Sequence, residues 1–179
     1  WSHGNGLDYD PDADAYFVSL AGLESVVRVD GATGEQVWAL SSVGGDFDNA
    51  ANTVQGPHSI EHLGDDRVLL FNRNLSADGQ LPDDAERCSE VTELQLDSES
   101  RWVERLWSFD SGECIWVVFY GEARRLESGN TLVIWSSAGQ LDEVTPDGET
   151  VWRVNTDVGG AFGFGDRVGE IYLDESLAP

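Results

Sequence analysis

The 179-residue chain has no lysine and no methionine, and it carries only two cysteines, three histidines and five prolines. Two cysteines without a CxxC spacing, in the company of three histidines, do not make a structural zinc site. No metal is expected, and Cys88 and Cys114 are expected to form a disulfide instead. No run approaches the roughly 18 apolar residues of a membrane-spanning helix, and no charged-then-apolar leader precedes the first strand-like segment. The chain opens at Trp1 rather than Met and is expected to be a processed product or a piece of something longer. Positive charge is scarce: 34 acidic residues face ten basic ones, all of them Arg, for a formal charge of −24. Such a surface repels a phosphate backbone and an anionic leaflet, so neither nucleic acid nor a membrane surface is an expected partner. GxSxG, a Walker loop and a GxGxxG following a strand are also missing, which removes the hydrolase elbow and the nucleotide cradles; no cofactor is expected.

What is present is repetition, the feature to seek before any local motif. A first unit, His3 to Leu40, contains HGNGLDYD, AYFVSL, SVVRVD and EQVWAL; a second, Pro57 to Phe109, contains PHSIEHLG, DRVLLF, VTELQLD and VERLWSF. The third, Gly121 to Val154, contains GEARRLES, NTLVIW, QLDEVTPD and ETVWRV. Each unit offers four short alternating or β-rich runs separated by turn chemistry such as Asp30-Gly31 and Pro146-Asp147-Gly148. No window sustains a 3.6-residue apolar period, so the fold class is all-β. Four-stranded units of about 40 residues with an aromatic anchor in the last run, here Trp38, Trp107 and Trp152, predict β-propeller blades; a sandwich or a barrel is the alternative. About three blades fit in this chain as one propeller domain or fragment, with an extra strand-like GEIYL at 169–173. A closed ring needs at least about four blades, so further blades of a parent chain or a second copy are expected to complete it. Gly-, Asp- and Asn-rich inserts lie at 41–56 and 72–90, and a Cys88–Cys114 bridge would pin the second to its blade edge.

A histidine stands at or near the start of the first run in units one and two, His3 and His58. Equivalent positions of a propeller converge on one axis, so two imidazoles there can serve as nucleophile and as acid/base near neutral pH. An isolated histidine would more simply cap a strand, and His62 reads as structural. The carboxylates of Asp8 to Asp14 alternate as in a calcium loop, but the sixth and twelfth positions are Ala13 and Ser19 rather than Gly and Glu, so a solvated turn is expected.

His3-Gly4-Asn5 with its Asp-Tyr-Asp-Pro turn, the Pro57-His58 unit ending in Val-Leu-Leu-Phe71, and the segment from Arg125 to Gly148 together resemble the arylsulfotransferase family, the bacterial aryl-sulfate sulfotransferases. The resemblance spans most of the chain and corresponds to the C-terminal half of a six-bladed propeller. It implies sulfuryl transfer from a phenolic sulfate ester to a phenolic acceptor, without a nucleotide sulfate donor and through a sulfated histidine. Carried over by position, His58 matches the nucleophile, and His3 with Asn5 the supporting pair. Where the family commonly has an Arg after the second strand of the His-x-Asn blade, this chain has Ser19-Leu20-Ala21, and Phe71-Asn72-Arg73-Asn74 replaces the usual Phe-Asp-Asn-Gly. Arg73 is the candidate to restore the missing cation for a sulfate. A propeller that has kept the fold and lost the chemistry, serving as a binding module, is the second reading, and a sugar- or quinone-handling propeller enzyme the third. The expected bridge and the habit of the family both place the protein in the periplasm or outside the cell.

Overall fold

A computed structural model describes residues 1–50, 53–74, 88–157 and 161–166. Its strands form three four-stranded antiparallel sheets, each in simple sequence order. Blade one comprises β1 (Gly4–Asp10), β2 (Ala15–Leu20), β3 (Ser25–Asp30) and β4 (Gln36–Ser41). Blade two comprises β5 (Pro57–Gly64), β6 (Arg67–Asn72), β7 (Glu90–Asp97) and β8 (Trp102–Phe109), and blade three β9 (Glu122–Arg125), β10 (Thr131–Trp135), β11 (Gln140–Val144) and β12 (Thr150–Asn155). Meandering four-stranded sheets whose first strands lie side by side are propeller blades around an axis.

Side chains stitch those first strands together. The Asp8 carboxylate accepts from the His62 N–H at 2.6 Å, Ser19 Oγ donates to the His58 carbonyl at 3.1 Å, and Asn5 Nδ2 donates to the Pro57 carbonyl at 3.4 Å. Between blades two and three, Ser59 Oγ accepts from the Ala123 N–H at 3.2 Å and the Glu61 carboxylate from the Arg125 N–H at 2.7 Å. Inner strands with no ladder partner on the axis side thus bond the next blade through side chains, meeting the demand that half-buried polar groups be paired.

The core is two layers between blades. One packs Phe17, Trp38 and Leu40 of blade one on Val68, Leu70, Leu94 and Leu96 of blade two; the other packs Leu69, Phe71 and Val91 of blade two on Val133, Trp135 and Val144 of blade three. Strand β6 explains the unbroken apolar run Val68-Leu69-Leu70-Phe71: side chains alternate faces, and both faces of the middle blade are covered. Trp38 is buried as the fourth-run aromatic anchor should be, and Trp107 packs partly buried against the second layer. Trp152 does not follow, being 43% exposed; in blade three the buried indole is Trp135, on the second strand, its Nε1 donating to the buried Asp142.

Local chemistry closes the turns. Asp10 Oδ1 accepts from the N–H groups of Asp12 and Ala13 and closes the turn between β1 and β2, while Asp8 lies within β1 with its carboxylate on the His62 N–H and not in a solvated turn. Asp30 Oδ1 does the same for Thr33, and Gly31 is required beside it, because a Cβ would run into the Asp14 side chain. Cys88 and Cys114 are joined, with Cα atoms 4.5 Å apart, and the Ser89 N–H donates to the Ile115 carbonyl at 2.9 Å beside the bridge. The segment after β8 is thereby tied to the start of β7. The strand expected at 169–173 lies outside the described residues. Among the described residues no helix is long and apolar enough to cross a membrane.

Candidate functional site

The inner strands of blades one and two begin with the same irregularity. In β1 the pairing with β2 shifts between Gly4 and Gly6, and in β5 the pairing with β6 shifts between Pro57 and Ile60. Gly4 pairs with the last residue of β2 as Pro57 pairs with the last residue of β6. The blade-one counterpart of His58 is therefore Asn5, not His3 as the bare spacing of histidines suggests. An extra residue in one strand escapes the ladder and re-aims its side chain, so bulges recur where sheets carry function. His3 precedes β1 at a positive φ of 51°, and its carbonyl accepts from the Ala21 N–H at 3.0 Å.

His58 is strongly perturbed. Its pKa falls from 6.5 to about 4, first because burial disfavours the charged ring, then because the Arg73 guanidinium repels a second positive charge. A hydrogen bond to the Gly121 backbone opposes the shift, and His3 adds slightly to it. The imidazole is thus neutral at pH 7 with a cation beside it, a pairing that suits a nucleophile for an anionic electrophile.

Arg73 follows the end of β6 directly, the slot Ala21 holds after β2 and Ser136 after β10. The slots behave alike: Ala21 N–H bonds the His3 carbonyl, and Arg73 N–H the Gly56 carbonyl at 3.4 Å. In blade three the Ser136 hydroxyl accepts from the Gly121 N–H at 3.0 Å. The Arg73 side chain is fixed by two backbone carbonyls, Nε donating to Gly56 and Nη1 to Val118, each at 3.2 Å. Burial lowers its pKa, but an Arg remains charged. Two of its five N–H donors are used in this way.

A cavity of about 230 Å³ opens along the inner strands, lined by residues including Asn5, Leu7, His58, Glu122, Arg124 and Phe164. Of the four residues expected to carry chemistry, Asn5 and His58 share this wall, while Arg73 and His3 act on His58 from outside it. Three neighbours were not foreseen. Tyr120 sets its ring edge-on to His58, centroids 5.8 Å apart; Glu122 and Arg124 pair at 2.8 Å, with the Arg124 guanidinium 4.7 Å from the centre of the Phe164 ring. Alternation could have found the last pair, because Ala123 between them is core and so aims its neighbours toward the axis. No sequence pattern singles out Tyr120.

The family model for arylsulfotransferases (ASST) matches residues 2–157, nearly the whole described chain. The chain belongs to the arylsulfotransferase family. No curated protein matches it. Among solved structures it is similar to Kuenenia stuttgartiensis hydrazine synthase, at 15% identity and a TM-score of 0.55, over 89% of this chain and 37% of that one. The PQQ-bound aldose sugar dehydrogenase of Streptomyces coelicolor gives 15% identity and a TM-score of 0.54, over 83% and 46%. An inactive virginiamycin B lyase of Staphylococcus aureus gives 9% and 0.51, over 87% and 42%. At these identities the likeness is one of fold, the β-propeller, and this arylsulfotransferase-family chain spans less than half the length of each. The repertoires of those proteins do not transfer with their fold. In this chain Ala21 is buried and uncharged, with Arg73 in the matching slot one blade on.

Proposed function

We propose that the protein is a sulfuryl transferase that moves the group from a phenolic sulfate ester to a phenolic acceptor through a sulfated His58. The observation that carries this reading is the half-buried, neutral imidazole of His58 in the field of the fixed guanidinium of Arg73. In the first step the ring nitrogen not engaged with Gly121 attacks sulfur, an N–S bond forms, the ester S–O bond breaks, and the departing phenolate takes a proton. In the second, the acceptor phenol oxygen attacks sulfur, loses its proton, and the N–S bond breaks. His3 handles the phenol proton, while Arg73 and Asn5 hold sulfate oxygens; donors placed in advance where charge sits are worth most in a partly dry site. No metal and no redox partner is needed to balance either step. A binding module that has lost the chemistry is the second reading, favoured by Ala21 in place of a cation.

The disulfide supports a place in the periplasm or outside the cell. The exposed apolar face of blade one, with Tyr9, Tyr16 and Val37, supports completion of the ring by further blades of a longer parent or by a second copy. The test uses the whole parent protein with a chromogenic phenyl sulfate and a phenol acceptor. His58→Ala should abolish acceptor-dependent phenol release and the sulfate-sized mass gain on the peptide holding residue 58. Arg73→Gln should lower kcat/KM by about 100-fold, the usual cost of one lost charge-stabilising donor. Full turnover by His58→Ala would refute the assignment.

A further inference from the structure

The segment between β8 and β9 is held unusually firmly for a loop. The Cys88–Cys114 bridge anchors its start, the Ser89 hydroxyl accepts from the Val117 N–H at 2.9 Å, the Ser137 hydroxyl from Val118 at 3.0 Å, and the Ser136 hydroxyl from Gly121 at 3.0 Å. Gly121 sits at φ 104°, where a Cβ would enter the Phe71 ring. Tyr120 adopts φ 63°, a conformation costly for a bulky residue and kept only when its surroundings impose it. Yet this fixed loop leaves Phe119 and Tyr120 47% and 49% exposed. Their rings stand perpendicular with centroids 5.4 Å apart, and Tyr120 reaches the edge of His58. The Val118 carbonyl of the same loop holds Arg73.

We infer that Phe119 and Tyr120 are the platform on which the ring of an aryl sulfate lies while its sulfate meets the His58 imidazole. This rests on the sulfuryl-transfer reading and adds what selects the substrate. An anion approaching a protein of charge −24 gains little from the long-range field, and a guanidinium cannot distinguish an aryl from an alkyl sulfate. The better leaving ability of a phenolate acts on the bond-breaking step, so a preference in binding must come from ring contact, and exposed aromatic faces and edges supply it at low entropic cost. The bridge and the serine hydroxyls keep the platform in place between turnovers, so binding does not have to order it.

The test measures binding and turnover together in the parent protein. Benzenesulfonate and methanesulfonate, equal in charge and inert to transfer, are titrated by calorimetry against wild type, Tyr120→Ala, Tyr120→Phe and Phe119→Ala, each checked for an unchanged melting curve. Tyr120→Ala should weaken benzenesulfonate about tenfold and leave methanesulfonate unchanged, Phe119→Ala should act in the same sense, and Tyr120→Phe should restore aryl binding to within about twofold. Loss of aryl preference without turnover in any protein would support the platform and overturn the transferase reading. Turnover together with a benzenesulfonate-over-methanesulfonate binding preference untouched by either alanine would do the reverse. An equal weakening of both anions by Tyr120→Ala would overturn the platform, because it would mark a general effect on Arg73.

Discussion

The His58 imidazole should titrate far below the ordinary histidine value, and the consequence can be worked through. The fall from 6.5 to about 4 corresponds to a preference of roughly 3 kcal/mol for the neutral ring in the folded protein, at 1.36 kcal/mol per tenfold. An unfolded chain binds a proton at this residue below about pH 6.5, while the folded protein refuses it down to about pH 4. Between those limits the unfolded state holds more protons, so stability rises with pH and is lost as pH falls. At pH 5 the loss attributable to His58 is about 2 kcal/mol, most of the full effect. Many carboxylates begin to protonate in the same range, so the decisive quantity is a difference: urea denaturation of wild type and His58→Gln at pH 5 and pH 7 in identical salt. Wild type should lose about 2 kcal/mol more than the variant on going to pH 5. With three histidines in the chain, imidazole resonances can also be assigned by single substitution and followed directly. A His58 midpoint near 6.5, or equal pH dependence of the two proteins, would show that neither burial nor Arg73 holds the ring neutral.

Two further outcomes concern the frame around the site. Replacing Cys88 and Cys114 by Ser opens a crosslink between residues 26 apart and should cost about 3 kcal/mol, read as a fall in Tm of about 10 °C; an unchanged Tm would show that the serine hydrogen bonds alone hold the loop. Asp142, fully buried, accepts from Trp135 Nε1, Gln140 Nε2 and Arg153, so Asp142→Ala should cost about 3–5 kcal/mol in urea denaturation by stranding those donors, and a loss under 1 kcal/mol would show that water replaces the carboxylate.

The blades were legible because their signals are local. Alternation and turn chemistry mark each strand of a meander, and the unbroken Val68-Leu69-Leu70-Phe71 run marks one covered on both faces. The bridge was legible by elimination, since two cysteines without metal-ligand spacing have few other uses. The site was legible in its residue types and not in its register. Spacing pairs His3 with His58, but the bulges in β1 and β5 set Asn5 in the His58 position. A one-residue bulge leaves no mark on hydrophobic alternation where Gly4 and Gly6 flank it. Tyr120 was invisible for a related reason: its place beside His58 comes from a left-handed backbone and a distant disulfide, neither of which has a periodicity. Trp152 shows the limit of reading by repeat. The same fourth-run indole that is buried in blade one is 43% exposed in blade three, where Trp135 on β10 fills the layer instead.

The position of the cation follows from the repeat itself. Ala21 and Arg73 occupy one slot in successive blades, each with its N–H on the carbonyl just before or at the start of the inner strand. Backbone geometry is therefore indifferent to which blade supplies the charge. Side-chain surroundings are not. Ala21 is 4% exposed and brings no charge, whereas Arg73 meets two carbonyl acceptors, Gly56 and Val118, in a half-exposed setting. Burying an unpaired charge costs several kcal/mol and burying a paired one much less. In this chain the cation of that slot is Arg73, held in part by the Val118 carbonyl of the loop that carries Tyr120.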